Sequence, residues 1–444
     1  MAGESAGRYA TGGGGGVSVR FPAMARILLG TLGSHGDVDP FIGLGVGLAA
    51  RGHAVTLATS PYYRDAVTGA GLGFAPVGPD LSPADPALVA RVMHPTRSAE
   101  FVIKELVAPW IPRFAADCAP LVREADLVVT HPLTMTLPLL AEHQGVPWAS
   151  TMLSPVTFLS PTDLPAVPMA PWLPHLARAA PWLAPAIVAS GKWLSRRWLA
   201  PVDRLREQLG LPDRGNPLFE GGQSPTLVLA LYSRVLGEPQ PDWPAHAVIT
   251  GAIGHDAVHG AALPPALASF LEGGPPPVVF TLGSSAVITP GRFWEASIEA
   301  ARRLGVRAVL LAGPFTPALQ RAGLPAGMLA VERAPHSLLF PRCAAVAHQC
   351  GVGTLMQALR AGLPTLAVPY ANDQPDNAHR IARLGVARVI PAWRYRARGA
   401  AAALDALRHD PAYRTNAARV AARVRAERGV ETACDALAGA FALE

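Results

Sequence analysis

Charge is scarce in this 444-residue chain: Asp, Glu, Lys and Arg make up 16% of it, against 50% hydrophobic residues. That ratio excludes general disorder, because so apolar a chain buries enough surface to offset its conformational entropy. Cysteine is scarcer still. Cys118, Cys343, Cys350 and Cys434 form no CxxC pair and no zinc-ligand spacing, so neither a structural zinc nor a disulfide scaffold is expected. They read as reduced thiols of a cytoplasmic protein. No run of eighteen apolar residues occurs, which argues against a membrane-spanning helix. The net charge of +6 comes almost wholly from dispersed arginine. No basic cluster is interleaved with aromatics, so nucleic acid is not an expected partner.

What is present is an alternation of short apolar runs with helix-like segments. Residues 1–23 stand apart: they are rich in Gly, with Gly12 to Gly16 in a row, and lack a signal-peptide core. A disordered leader, or a start upstream of the native Met24, is expected there. The first series of strands, Arg26 to Leu32, His53 to Thr59, Leu127–Thr130 and Val146–Thr151, spans residues 24–253. A Pro- and Gly-rich linker is expected at 254–277. A second series, Val278–Leu282, Arg307–Ala312, Ala344–Ala347 and Thr365–Val368, spans 278–415, and a closing helical segment occupies 416–444. Such alternation predicts an α/β protein of two doubly wound, Rossmann-like domains around parallel sheets. Ligands then belong at the C-terminal strand ends, which face a central cleft.

The second series holds the most specific motif. After the strand ending at Ala347 comes His348-Gln349-Cys350-Gly351-Val352-Gly353-Thr354, then a helix-like stretch to Ala361, Gly362, the next strand, and Asp373-Gln374. Gly353 and Thr354 fall at a helix N-terminus, where free N–H groups and the helix dipole favour an anion, and glycine admits a phosphate to the backbone. His348, Gln349 and Thr354 add side-chain donors.

With Arg333-Ala334-Pro335-His336 upstream, this ordered set resembles the donor signature of family-one nucleotide-sugar glycosyltransferases, and the resemblance covers roughly Met24 to Ala436. It implies the two-domain GT-B architecture, with the acceptor on the first domain and a UDP- or dTDP-sugar on the second. It implies that Gly283, Ser284 and Ser285 touch phosphate or nucleotide, and that the Arg333–His336 segment meets the base, although Arg333 replaces an aromatic residue. Gln357 stands where a ribose-binding glutamate is usual, Asp373 and Gln374 where the sugar hydroxyls are contacted, and Cys350 where a glycine is usual. The closing helix is expected to pack back on the first domain.

Transfer to a hydroxyl needs a base. The first loop, Gly33-Ser34-His35-Gly36-Asp37-Val38-Asp39-Pro40, aligns Asp37 with the position of the family's catalytic histidine; His35 competes for the role. His131 falls where relatives place a carboxylate that orients the base. Asp39 is expected to cap the helix that begins near Pro40. The D-x-D of Asp37-Val38-Asp39 reads as coincidence, so no metal and no resident cofactor are expected.

The resulting expectation is an inverting hexosyltransferase acting on a hydrophobic acceptor, phenolic, sterol, macrolide or lipid. A nucleotide-sugar 2-epimerase and a non-catalytic sugar-nucleotide or lipid-binding protein are the alternatives. The Trp-rich stretch Ala170 to Leu209 is read as a helical excursion, as an apolar acceptor wall, or as a peripheral membrane contact. Oligomeric state is not specified.

Overall fold

The computed structural model describes residues 24–80, 82, 85–254 and 262–443. The expected leader and residues 255–261 of the expected linker lie outside them. Seven parallel strands form the first sheet: β1 (Arg26–Gly30), β2 (Ala54–Thr59), β3 (Gly73–Pro76), β4 (Leu127–Thr130), β5 (Trp148–Met152), β6 (Val228–Ala230) and β7 (Ala247–Ile249). Six more form the second: β8 (Val278–Thr281), β9 (Ala308–Leu311), β10 (Met328–Val331), β11 (Ala345–His348), β12 (Thr365–Ala367) and β13 (Ala387–Val389). Central strands such as β4 and β8 are buried along their whole length, as strands covered by helices on both faces must be.

The strand orders are β3-β2-β1-β4-β5-β6-β7 and β10-β9-β8-β11-β12-β13. In each sheet the order reverses next to the first strand, between β1 and β4 and between β8 and β11. Loops leaving those strands diverge and open a crevice. The register sets which residues share it. Gly30 pairs with Thr130, so the loops at Thr31 and His131 leave side by side; Ala347 pairs with Phe280, so His348–Thr354 emerges beside Gly283–Ser285.

Three elements differ from expectation. The first helix runs His35–Ala49 instead of starting near Phe41, because Ser34 caps it. Part of the expected linker, Pro265–Glu272, is a helix whose Leu267 and Leu271 pack under the second sheet. The closing segment is two helices. Pro411–Ala426 packs with β6 and the Val352–Ala361 helix through Ala417, Val420 and Val424. Gly429–Phe441 inserts Cys434, Leu437 and Phe441 into the core around β1 and β2.

The two domains touch across the cleft. Arg380 binds Asp163 at 2.6 Å, Asp376 at 2.6 Å and the Leu236 carbonyl at 3.0 Å. The Ala166 N–H donates to Asp376 at 3.0 Å. These bonds engage two of the three nitrogens of a buried guanidinium, which left unpaired would be strongly destabilising.

Candidate active site

The first-domain side is built around Asp37. Ser34 takes the N-cap and Asp37 the third helical position, so each side chain bonds the other's backbone in a capping box. Asp37 Oδ2 accepts from the Ser34 N–H at 2.7 Å and the Ser34 hydroxyl at 3.1 Å. Gly33, at φ +136°, makes the turn, and a Cβ there would sit 2.2 Å from that same oxygen; only glycine leaves room for the carboxylate. Capping thus belongs to Ser34 and Asp37, not to Asp39, which lies 3.3 Å from His35 Nδ1.

Asp37 Oδ1 faces His131, whose Nε2 lies 3.5 Å away. His131 is buried, and its Nδ1 accepts the Leu133 N–H at 3.2 Å. A ring nitrogen that accepts carries no proton, so the neutral imidazole holds its proton on Nε2, toward Asp37. His131 therefore turns its N–H toward the carboxylate. His35 is not part of this pair: its ring meets Tyr63 edge-on at 5.1 Å and turns to Asp39.

An apolar pocket lies at the same strand ends. Leu32 follows β1, Pro79 follows β3 and Leu133 follows β4; Leu106, Trp110 and Phe114 close it. Part of its wall, Val102–Val107, is a stretch of π-helix, a geometry found often at functional sites. In the 170–209 stretch Trp172, Trp182 and Trp193 face solvent, while Pro185, Val188 and Ala189 line a recess with Phe158 and Trp243.

The second-domain side is built on the helix Val352–Ala361. Its N-cap is Gly351, and no side chain caps it, so the first N–H groups are left for a ligand or water. Thr354 is buried in that first turn, and a Cβ on Gly353 would meet no protein atom within 4 Å. His348, fully buried, accepts the Cys350 N–H on Nδ1 at 3.0 Å, while Nε2 has no partner. The proton must again sit on Nε2, a donor aimed at nothing in the protein. Burial, with help from the nearby His336, pulls the imidazole down to about 3; it is neutral at any physiological pH.

Gln349 is equally confined. A Cβ on Gly283 would lie 2.1 Å from its Nε2, and one on Gly351 2.8 Å. Its Oε1 has no partner. Ser284 is exposed in the loop beside it, and Ser285 precedes the turn Ala286–Ile288. His336 stacks on Phe340 at 4.5 Å; Arg333 is exposed, with Ala334 and Pro335 leading into the short helix. Gln357 Nε2 reaches within 3.8 Å of the Cβ position of Gly254, in the irregular segment after β7.

Cys350 has φ +67°, the left-handed region that favours glycine and costs other residues roughly 1–2 kcal/mol. Its thiol is buried beside Leu355 and Met356, and that burial raises it well above the usual thiol range. The side chain fills the core while the backbone makes the turn that relatives form with glycine.

Asp373 closes the site. Its surface is partly accessible, yet protein encloses it on most sides, and burial pushes it up to about 7. Asn377 Nδ2, donating at 2.7 Å, acts against that rise; the Asp37 carboxylate, facing it from the other domain, adds to it. Gln374 is tied differently from expectation, since its Oε1 accepts the Tyr370 N–H at 2.9 Å and the Ala371 N–H at 3.3 Å. Only its NH₂ is left to meet a sugar hydroxyl.

With these two half-sites facing each other, comparison with known proteins decides the family. Residues 27–157 match the glycosyltransferase family 28 N-terminal domain, and residues 314–433 match the erythromycin biosynthesis protein CIII-like C-terminal domain. O-mycaminosyltylonolide 6-deoxyallosyltransferase of Streptomyces fradiae is 35% identical over 424 residues, 92% of this chain and 96% of that one. The chain belongs to the family-one glycosyltransferases. A sterol 3-beta-glucosyltransferase of Pichia angusta is 28% identical over 93% of this chain, which spans 33% of that longer protein. The fold matches that of the glycosyltransferase VinC in complex with dTDP, with a TM-score of 0.66 at 23% identity over 94% of this chain and 99% of that one.

Sequence reasoning missed several residues of this glycosyltransferase. Asn377 donates to both Asp373 and the Cys350 carbonyl, at 2.7 and 3.0 Å, and so ties the phosphate loop to the cleft. Arg380, Asp376 and Asp163 lock the rim. A signal existed, since Asp373/Asn377 and Asp376/Arg380 are i,i+4 pairs on one helix. The Leu106–Phe114 wall left no comparable trace. Among the described residues no group of three His, Cys, Asp or Glu is placed to hold a metal ion, and no helix is long and apolar enough to cross a membrane.

Proposed function

We propose that this glycosyltransferase moves a hexosyl group from a UDP- or dTDP-sugar to a hydroxyl of a hydrophobic small molecule, with inversion at the anomeric carbon. The observation that carries this reading is the unpartnered His348 Nε2 beside an uncapped helix N-terminus. Together they offer neutral, fixed donors to a diphosphate. A neutral donor stabilises charge as it develops on the leaving group without a proton transfer.

Asp37 approaches from the opposite side of the cleft. It takes the proton of the acceptor hydroxyl as that oxygen bonds the anomeric carbon, and the bond from that carbon to the diphosphate oxygen breaks. Base and leaving group on opposing domains suit an in-line displacement, hence inversion. In this reading Asp373 and the Gln374 amide bind the sugar hydroxyls. Asp37 and Asp39 turn to different histidines, which favours a reaction that needs no metal.

The relatives' names point the same way for the acceptor, since they include a tylonolide glycosyltransferase, a vancomycin aglycone glucosyltransferase and sterol glucosyltransferases. Leu32, Leu133 and Phe114 offer such an acceptor an apolar surface at the strand ends, around a recess of only about 10 Å³. A cytoplasmic enzyme fits four free cysteines. The test incubates the protein with UDP- and dTDP-hexoses and pooled macrolide, phenolic and sterol acceptors, in EDTA, and reads product mass. A product one hexosyl heavier than its acceptor is expected. Turnover that vanishes in EDTA and returns with manganese or magnesium rules out the metal-free route, and free hexose or an epimerised sugar nucleotide as sole product rules out transfer.

A further inference from the structure

Among the described residues, half of the exposed large hydrophobic side chains come from one short stretch: Met169, Trp172, Trp182, Trp193 and Leu194. Trp182 is 75% exposed and Trp193 61%. Tryptophan is the largest apolar side chain, and leaving several in water on one surface is a standing penalty unless something covers them. The helix Ala184–Arg196 buries Ala184, Val188 and Ser195. Its outward side carries Ala186, Ala189 and Trp193, and Trp182 precedes it on the same repeat of four, three and four residues. The two indoles thus stand about 16 Å apart along one face, at 1.5 Å per residue.

Within this stretch of sequence the charge has one sign, and its acidic partners come from outside it. From residue 164 to residue 202 there is no aspartate or glutamate, while Arg178, Lys192, Arg196 and Arg197 are present. Lys192 and Arg196 reach outside the stretch for carboxylates, at Glu220 and at Asp203 and Asp213. Arg197 instead lies over the Trp193 ring, 3.9 Å from its centroid. Indoles flanked by guanidinium groups, with no acidic residue between, match a bilayer interface, where indoles settle among head groups and cations meet lipid phosphate.

We propose that the Trp172–Arg197 face docks on an anionic lipid surface. The stretch also touches the donor domain, through Ala166 on Asp376 and His175 edge-on to His379 at 5.7 Å, so the bound surface lies beside the rim of the cleft.

The test mixes the full chain with sedimenting vesicles of phosphatidylglycerol and phosphatidylcholine, or of phosphatidylcholine alone. Binding is expected to the first mixture, weakened by salt, and about tenfold weaker to the second. Trp182→Ser with Trp193→Ser should reduce binding at least about tenfold with an unchanged melting temperature, because neither side chain supports the core. Should that variant unfold, quenching of wild-type tryptophan emission by brominated lipid gives the same reading without mutation. No binding to anionic vesicles, or equal binding by the folded variant, overturns the proposal. So does a wild-type dimer that the double substitution dissociates, which would make the face an interface between copies.

Discussion

Asp37 Oδ1 and His131 Nε2 stand 3.5 Å apart, one in the first turn of the helix after β1 and the other in the loop after β4, the adjacent strands at the switch point of the first sheet. With His131 Nδ1 closed by the Leu133 N–H, the imidazole presents a proton to the carboxylate and has no free lone pair for a substrate. In the proposed reaction the carboxylate is the base, and the histidine is its positioning residue.

Asp37→Asn should therefore lower turnover by about 10²–10⁴-fold, the usual contribution of general-base catalysis, with nucleotide binding nearly unchanged. His131→Gln keeps a donor near Asp37 and should lose less. His35→Ala should lose least, since His35 pairs with Asp39. Steady-state kinetics of the three variants checks the order; a His131 or His35 variant weaker than Asp37→Asn moves the base to a histidine.

His348 should be a binding residue and an acid-sensitive one. His348→Gln is expected to cut the thermal shift produced by dTDP or UDP. The linkage has a definite sign. An imidazole pulled from its ordinary 6.5 to about 3 binds its proton more readily when unfolded. Stability is intact above pH 6.5 and is lost as pH falls from there toward 3. At pH 5 the deficit is roughly 2 kcal/mol, at about 1.4 kcal/mol per unit. Asp373, raised to about 7, works in the opposite direction but is common to both proteins. Urea unfolding at pH 7 and pH 5 should show the wild type losing roughly 2 kcal/mol more than His348→Gln; equal losses would mean that His348 is solvated.

How much of this was readable before the fold? The parallel sheets were, because strands buried on both faces must be continuous apolar runs such as Leu127–Thr130 and Val278–Thr281. So was the glycine turn that opens the Val352–Ala361 helix, since a strand, a glycine turn and a helix start form a local pattern that needs no distant partner. What escaped depends on contacts far along the chain. His131 faces Asp37, 94 residues earlier, and Asp373 is raised partly by Asp37, from the other domain. The helix start was misplaced because Pro40 looked like a first-turn residue, whereas Ser34 and Asp37 already formed a capping box upstream.

Gly283 offers a test of the donor loop. A Cβ there would lie 2.1 Å from Gln349 Nε2, the far end of a flexible side chain that can swing away. Gly283→Ala should then leave stability nearly unchanged yet weaken nucleotide diphosphate binding, by about tenfold if Gln349 contributes a hydrogen bond worth about 1.4 kcal/mol. Adding Gln349→Ala should produce little further loss, because both changes remove the same group. Calorimetry on the single and double variants checks this; fully additive losses would separate the two residues.

Cys350 tests the backbone itself. Ordinarily Ala is more stabilising than Gly, by roughly 0.5–1 kcal/mol, because glycine loses more freedom on folding. At φ +67° the order should reverse. Cys350→Ala keeps the left-handed strain of roughly 1–2 kcal/mol and loses the thiol's packing; Cys350→Gly loses the same packing but sheds the strain. Glycine should thus exceed alanine by up to about 1 kcal/mol and fall within about 1 kcal/mol of the wild type, since the buried sulfur contributes about as much as one methylene. The buried thiol should also resist iodoacetamide in the folded protein, since the thiolate is the reactive form. Urea unfolding of the two variants checks the order; an alanine variant equal to or firmer than the glycine one would mean that residue 350 does not hold the left-handed turn.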